Sequence, residues 1–262
     1  MTLLKGKTAL VFGVANDHSI AWGITRAMHE QGATIALSYA GEALERRVQP
    51  LAESIQCNFV ERCDVSRDEE IETLFHKATE QLGSIDILIH AIAFADREEM
   101  LGRYIETSRE GFRLALDISV YSFTALARSA LPLMKSGGSM LTITYYGGQK
   151  AVPHYNVMGV AKAALEASVR YLAVDLGAEG IRVNAISAGP VRTLAAAGVP
   201  GFRKMHREFT KIAPLKENIT IDDIGAAAVW LVSDMASKTT GEVLFVDSGY
   251  NILGLTIPDE LL

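Results

Sequence analysis

Hydrophobic and polar positions run along this chain in two alternating rhythms. Short apolar runs begin at Thr8 (TALVFG), Thr34 (TIALSYA), Cys57 (CNFVERC), Ile85 (IDILIHAIA), Ser139 (SMLTITYY), Ile181 (IRVNAIS) and Glu242 (EVLFVD). Between them lie amphipathic stretches of about ten to twenty residues, the spacing of strand-helix-strand units. Several runs are apolar at consecutive rather than alternate positions, as strands are when helices cover both faces of a parallel sheet. The pattern predicts an α/β fold, a single doubly wound (Rossmann) domain over residues 1–262, with about seven parallel strands and helices on both faces. The rhythm lapses over about residues 192–212, which read as an insertion. No fixed-period repeat or Pro/Gly-rich linker divides the chain.

Composition narrows the class. With 49% hydrophobic and 21% charged residues in 262, the chain can bury a large core. The N-terminal MTLLKGKTALVFG lacks the pattern of a secretory signal, and no segment offers the roughly 20 apolar residues that cross a bilayer. A cytoplasmic, non-membrane protein is expected. A formal charge of −6 argues against general nucleic-acid binding while leaving room for a local basic patch. The two cysteines, Cys57 and Cys63, have too few histidines nearby for a metal cage, and buried thiols are expected.

Candidate chemistry begins where the first strand ends. VFGVANDHSIAWG occupies the turn at which a doubly wound fold receives a dinucleotide pyrophosphate. Gly13 would allow the tight turn, Ser19 would cap the helix and offer a hydroxyl to phosphate, and Gly23 would let helix and sheet approach closely. The G-x-G-x-x-G fingerprint itself is absent. After the third strand, Asp64 and Val65 stand where a carboxylate and an apolar side chain would meet an adenine ring, although Asp64 suits a helix N-cap equally well. At the end of the second strand Ala40 and Gly41 precede Glu42, with Arg46 and Arg47 a turn further on. That order leans toward NADH rather than NADPH.

A second constellation lies in YYGGQKAVPHYNVMGVAK, where Tyr155 and Lys162 are seven positions apart. A phenol, with a pKa of about 10, becomes a useful acid near neutrality only where positive charge stabilises its anion. On one continuous helix the two positions would share a face with a rise of about 10.5 Å between them, too far for contact and suited to a ribose in the gap. Lys162 would then hold the sugar hydroxyls and lower the Tyr155 pKa from a distance.

These segments, with HAIAF, LTITYYGG and RVNAISAGPVRTLA, resemble the short-chain dehydrogenase/reductase superfamily and, within it, the enoyl-acyl-carrier-protein reductases of bacterial fatty-acid synthesis. The resemblance covers essentially the whole chain. Ordinary superfamily members carry Tyr-x-x-x-Lys, but Met158 stands four before Lys162. They carry Asn-Asn-Ala-Gly where this chain has His90-Ala91-Ile92-Ala93, and an asparagine in the next helix where Asp117 is expected here. The tyrosine, six intervening residues and lysine match the enoyl reductases instead. Hydride delivery to Cβ of an enoyl thioester puts the developing charge on the thioester oxygen, so the acid must sit further out.

The resemblance implies that Tyr155 hydrogen-bonds this oxygen, that Lys162 anchors the nicotinamide ribose of NADH, and that Tyr145 lines the acyl pocket. A core aromatic is the alternative for Tyr145. It also implies cofactor contacts from Gly13, Ser19, Ile20, Asp64, Val65, Ile92, Val191, Thr193, Leu194 and Ala195, and a substrate contact from Ala95. The 192–212 insertion becomes a helical substrate lid, with Phe202, Met205 and Phe209 either facing the acyl chain or packed in the core. Arg203, Lys204 and Arg207 would offer a basic patch to an acidic acyl carrier protein. The apolar EVLFVDSGYNILGL is expected at a homotetramer interface, or folded back on its own subunit.

Overall fold

The computed structural model describes residues 2–197 and 201–254. The seven apolar runs form seven strands, β1 (Thr8–Phe12), β2 (Thr34–Tyr39), β3 (Phe59–Arg62), β4 (Ile87–His90), β5 (Gly138–Thr144), β6 (Ile181–Ala188) and β7 (Val243–Val246). They pair in the order β3-β2-β1-β4-β5-β6-β7, every pair parallel. Strand order reverses between β1 and β4, and the crevice beyond the carboxyl ends of those strands is where such sheets hold nucleotides.

Consecutive apolar residues in a strand have a direct cause here. Alternate positions of β1 feed two different cores: Leu10 and Phe12 join one cluster and Ala9 and Val11 the other. The first cluster is closed by α3 (Asp68–Leu82), α5 (Ser122–Ala130) and α6 (Asn156–Leu176), which bury Leu74, Phe123 and Leu165. The second is closed by α1 (Ile20–Glu30), α2 (Glu42–Ser54) and α9 (Ile221–Val232), which bury Ile24, Val48 and Ile224. A strand with core on both sides has no position left for a solvent-facing polar residue. The two edge strands are the exceptions: β3 ends on half-buried Glu61 and exposed Arg62, and the four residues of β7 are all half-buried.

Between α4 (Arg109–Leu116) and α5 the chain makes a π-helical turn over Asp117–Tyr121. The insertion is helical, with α7 (Leu194–Ala197) and α8 (Phe202–Ile212) separated by residues 198–200, which lie outside the described residues. Gly23 serves a contact other than the expected one. A side chain there would strike the backbone of Ile221, and one at Gly225 would strike Gly23. The glycine therefore brings α1 against α9, helix on helix, rather than helix on sheet. Among the described residues no helix is long and apolar enough to cross a membrane.

Candidate active site

A cavity of about 880 Å³ opens at the carboxyl edge of the sheet. One wall is the start of α1. Ser19 is its N-cap: the Ser19 hydroxyl accepts from Trp22 N–H at 3.3 Å and donates to the Asn16 carbonyl at 2.7 Å. The cap is as expected, but its proton is already committed to Asn16, so an anion here would meet the backbone N–H groups and positive end of α1. Gly13, at φ +107°, presses against the Ala91 backbone so closely that a Cβ could not fit. It shapes the turn without lining the cavity.

The opposite wall carries the two tyrosines. Tyr145 follows the last residue of β5, and Tyr155 is the N-cap residue of α6. Their rings meet edge to face, centroids 4.9 Å apart and planes at 72°. The sequence places Tyr155 inside a helix, whereas the structure places it just before one, between His154 at φ +64° and Asn156 at φ +38°. These left-handed residues store local strain of the kind found at functional positions. The Asn156 side chain, reaching the Glu99 and Gly102 carbonyls at 3.4 and 3.5 Å, ties this turn to the loop after β4.

Lys162 is 4% exposed and donates to the Ile143 carbonyl at 2.7 Å. Burial brings its ammonium down to about 8, opposed by the Glu166 carboxylate. The expected effect of Lys162 on Tyr155 is not seen: burial, then the neighbouring Tyr145, raises the Tyr155 pKa well above the phenol range. The reason is geometric, because Lys162 is turned to the β5 backbone and the helix rise separates the two groups. Burial, then Tyr250, pushes Tyr145 up to about 12. Both tyrosines are therefore neutral hydrogen-bond donors at physiological pH.

Of the residues singled out in the sequence, Ser19, Ile20, Ile92, Ala95, Tyr145, Tyr155, Lys162, Val191, Thr193 and Leu194 all line the cavity. Ala195 falls in α7, and its side chain lies outside the described part. Asp64 and Val65 follow β3 at the same sheet edge but do not line the cavity. Val65 is buried in the α3 core, and Asp64 accepts from Ser66 N–H and O–H at 3.0 and 2.7 Å. Asp64 is not the cap of α3, since that helix begins at Asp68 behind Arg67. From the lid, Phe202 and Met205 face the cavity, whereas Phe209 is 3% exposed and packs on Tyr250 at 5.3 Å. Of the basic residues Lys204 reaches the cavity rim and Arg207 pairs with Glu208 at 3.3 Å.

Two buried polar residues near the site escape the sequence reading. The polar side chain that the π-helical turn buries is Ser119, bonded to Phe94 N–H and C=O at 3.0 and 3.1 Å, while Asp117 faces Arg113 at 3.5 Å. Glu166, 5% exposed, sits one turn after Lys162. Its i+4 spacing from the lysine is the signal that finds it.

An apolar cavity between a helix N-terminus and a tyrosine-tyrosine-lysine wall suits a nucleotide on one side and a greasy acyl group on the other. A sequence family described as Enoyl-(Acyl carrier protein) reductase matches residues 13–251. The chain belongs to the enoyl-acyl-carrier-protein reductase family. It is 54% identical over 257 residues to enoyl-[acyl-carrier-protein] reductase [NADH] 1 of Rhizobium meliloti, spanning 98% of this chain and 94% of that one. The crystal structure of the Bacillus cereus enoyl-acyl carrier protein reductase with NADP+ and indole naphthyridinone superposes with a TM-score of 0.96 at 53% identity, over 97% of this chain and all of that one. The Anaplasma phagocytophilum enzyme in complex with NAD matches with a TM-score of 0.94 at 51% identity, over 98% of both chains. The expected seven-stranded enoyl reductase fold is thereby confirmed.

Proposed function

We propose that this enoyl reductase uses NADH to saturate the trans-2 double bond of enoyl thioesters carried on acyl carrier protein, with Tyr155 as the oxyanion donor. The cavity fits the nucleotide: the α1 N-terminus, which lines it with Ala15, Asn16, Ser19, Ile20 and Ala21 while Asp17 lies off the wall beside His18, would receive the pyrophosphate, and Lys162 would hold the ribose. When bound, NADH supplies the hydride that attacks Cβ. The double-bond electron pair then moves toward the carbonyl as an enolate, and the Tyr155 hydroxyl donates a hydrogen bond to that oxygen. Collapse of the enolate takes a proton at Cα from water relayed past Lys162.

Because it stays protonated at neutral pH, the phenol can donate throughout while charge builds on its partner. Tyr145, edge-on to Tyr155, limits where that ring can move, and Phe202 and Met205 close the acyl side. Ile20, Ile92, Val191, Thr193, Leu194 and Ala195 would complete the cofactor's surroundings, Gly13 would shape the turn that receives it, Asp64 and Val65 would reach only a part of the nucleotide that extends beyond the cavity along the sheet edge, and Ala95 would touch substrate. Arg203 and Lys204 at the lid would meet the acidic carrier protein. We read the enzyme as cytoplasmic, and as homotetrameric because half-buried β7 and Ile252, 73% exposed, leave apolar surface for another copy.

The single observation that carries the proposal is the edge-to-face tyrosine pair sharing one apolar cavity with buried Lys162. The test follows NADH absorbance with crotonyl thioester and, in parallel, acetoacetyl thioester. Oxidation with the first alone is expected; oxidation with the second alone would mark a carbonyl reductase.

A further inference from the structure

Glu166 is a buried carboxylate that no step above uses. It accepts from the Thr144 hydroxyl at 2.8 Å and from the Gln149 side-chain amide at 3.0 Å. Gly148, between those partners in sequence, lies so close on α6 that an added Cβ would sit 2.9 Å from Glu166 Oε1 and 3.1 Å from the Lys162 carbonyl carbon. The turn leaving β5 is thus laid flat across the helix, and the carboxylate is fixed beneath it. Among the described residues no lysine or arginine nitrogen lies within 4.0 Å of Glu166. Two cations share its helix face, exposed Arg170 one turn later and buried Lys162 one turn earlier, and the buried one is itself bonded to β5 through the Ile143 carbonyl. Lysine and glutamate therefore grip consecutive residues of one strand, close enough to feel each other's charge yet not in contact.

We propose that Glu166 is a positioning residue acting through Lys162: its fixed negative charge keeps the lysine an ammonium, the form able to hold the ribose. The proposal rests on the ribose assignment made above. The other titratable groups facing Lys162 offer no substitute. His90 on β4 is neutral, held between Thr142 Oγ1 and Ser122 Oγ at 2.8 Å each. Tyr145 and Tyr155 are neutral phenols, Arg97, His154 and Lys204 on the same cavity carry no negative charge, and Glu208, the one carboxylate lining that cavity among the described residues, belongs to α8. Burial works against the ammonium, and Glu166 is the charge that opposes it.

The test compares wild type, Glu166→Asp and Glu166→Gln. NADH affinity is titrated by fluorescence from neutral pH into the alkaline range, and the Lys162 ¹³Cε resonance is followed in the nucleotide-free protein. In Glu166→Gln both transitions are expected to move about one pH unit toward neutrality. Glu166→Asp, whose charge is retracted by one methylene, falls between and serves if the Gln variant does not fold. Coincident Lys162 titrations in wild type and the variants overturn the proposal. Lys162→Ala separates the two claims. NADH affinity unchanged in that variant refutes the ribose assignment, and the ¹³C titration still decides the role of Glu166.

Discussion

Replacing Lys162 by Met should make the nucleotide-free protein more stable and nearly useless. Burial brings the Lys162 pKa from 10.5 to about 8. At 1.36 kcal/mol per pKa unit, carrying the ammonium into the fold costs about 3 kcal/mol at neutral pH. Methionine keeps most of the stem volume without the charge, and it loses the ammonium's hydrogen bond to the Ile143 carbonyl, which contributes about 2 kcal/mol. The net gain is about 1 kcal/mol, or about 2 °C in Tm for a chain of this length. The sign with pH follows from the depressed folded-state pKa. Between about 8 and 10.5 the unfolded chain binds the extra proton, so wild type gains stability as pH rises through that window. Lys162→Met should show no such gain. Calorimetry without nucleotide, at neutral and alkaline pH, and NADH titration by fluorescence read both halves. A Tm below wild type refutes the burial argument, and wild-type NADH affinity refutes the lysine's assignment.

Tyr155→Phe keeps the ring that packs on Tyr145 and on the Met100, Val157 and Met158 cluster, and removes one donor. Turnover should fall about 100- to 1,000-fold with NADH affinity and Tm near wild type, as stopped-flow kinetics and thermal melts would show. A loss of less than tenfold would remove Tyr155 from the oxyanion. Acid stability should depend on His90, which burial and then the Lys162 charge bring down to about 3. Because unfolded imidazole titrates near 6.5, stability declines as pH falls below that value, by about 5 kcal/mol once the folded-state pKa is reached. Urea melts of wild type between mildly acidic and neutral pH should therefore have a steeper pH slope than those of His90→Asn; equal slopes would contradict this.

The strands were legible because burial on both faces leaves a continuous apolar run, and even half-exposed β7 keeps enough of it. The cavity walls were legible through family likeness, which places Ser19, Ile92, Tyr145, Tyr155 and Lys162 together. What escaped depends on contacts between distant segments. Gly23 was assigned to the sheet because nothing local announces α9, about two hundred residues away, as its neighbour. Tyr155 was read into a helix because helix propensity does not reveal the two left-handed residues that halt the helix at Asn156. Ser119 went unnoticed beside Asp117 because a π-helical turn changes which side chain points inward, and its extra residue per turn leaves no mark on the sequence pattern.

The close crossing of α1 and α9 has a consequence for synthesis. Helix α1 leaves the ribosome well before Ile221 and Gly225, the α9 residues that complete its seat. A nascent chain stopped before α9 therefore leaves one side of α1 bare. Such a chain should gain no protection from NADH against proteolysis, however completely its early strands have paired.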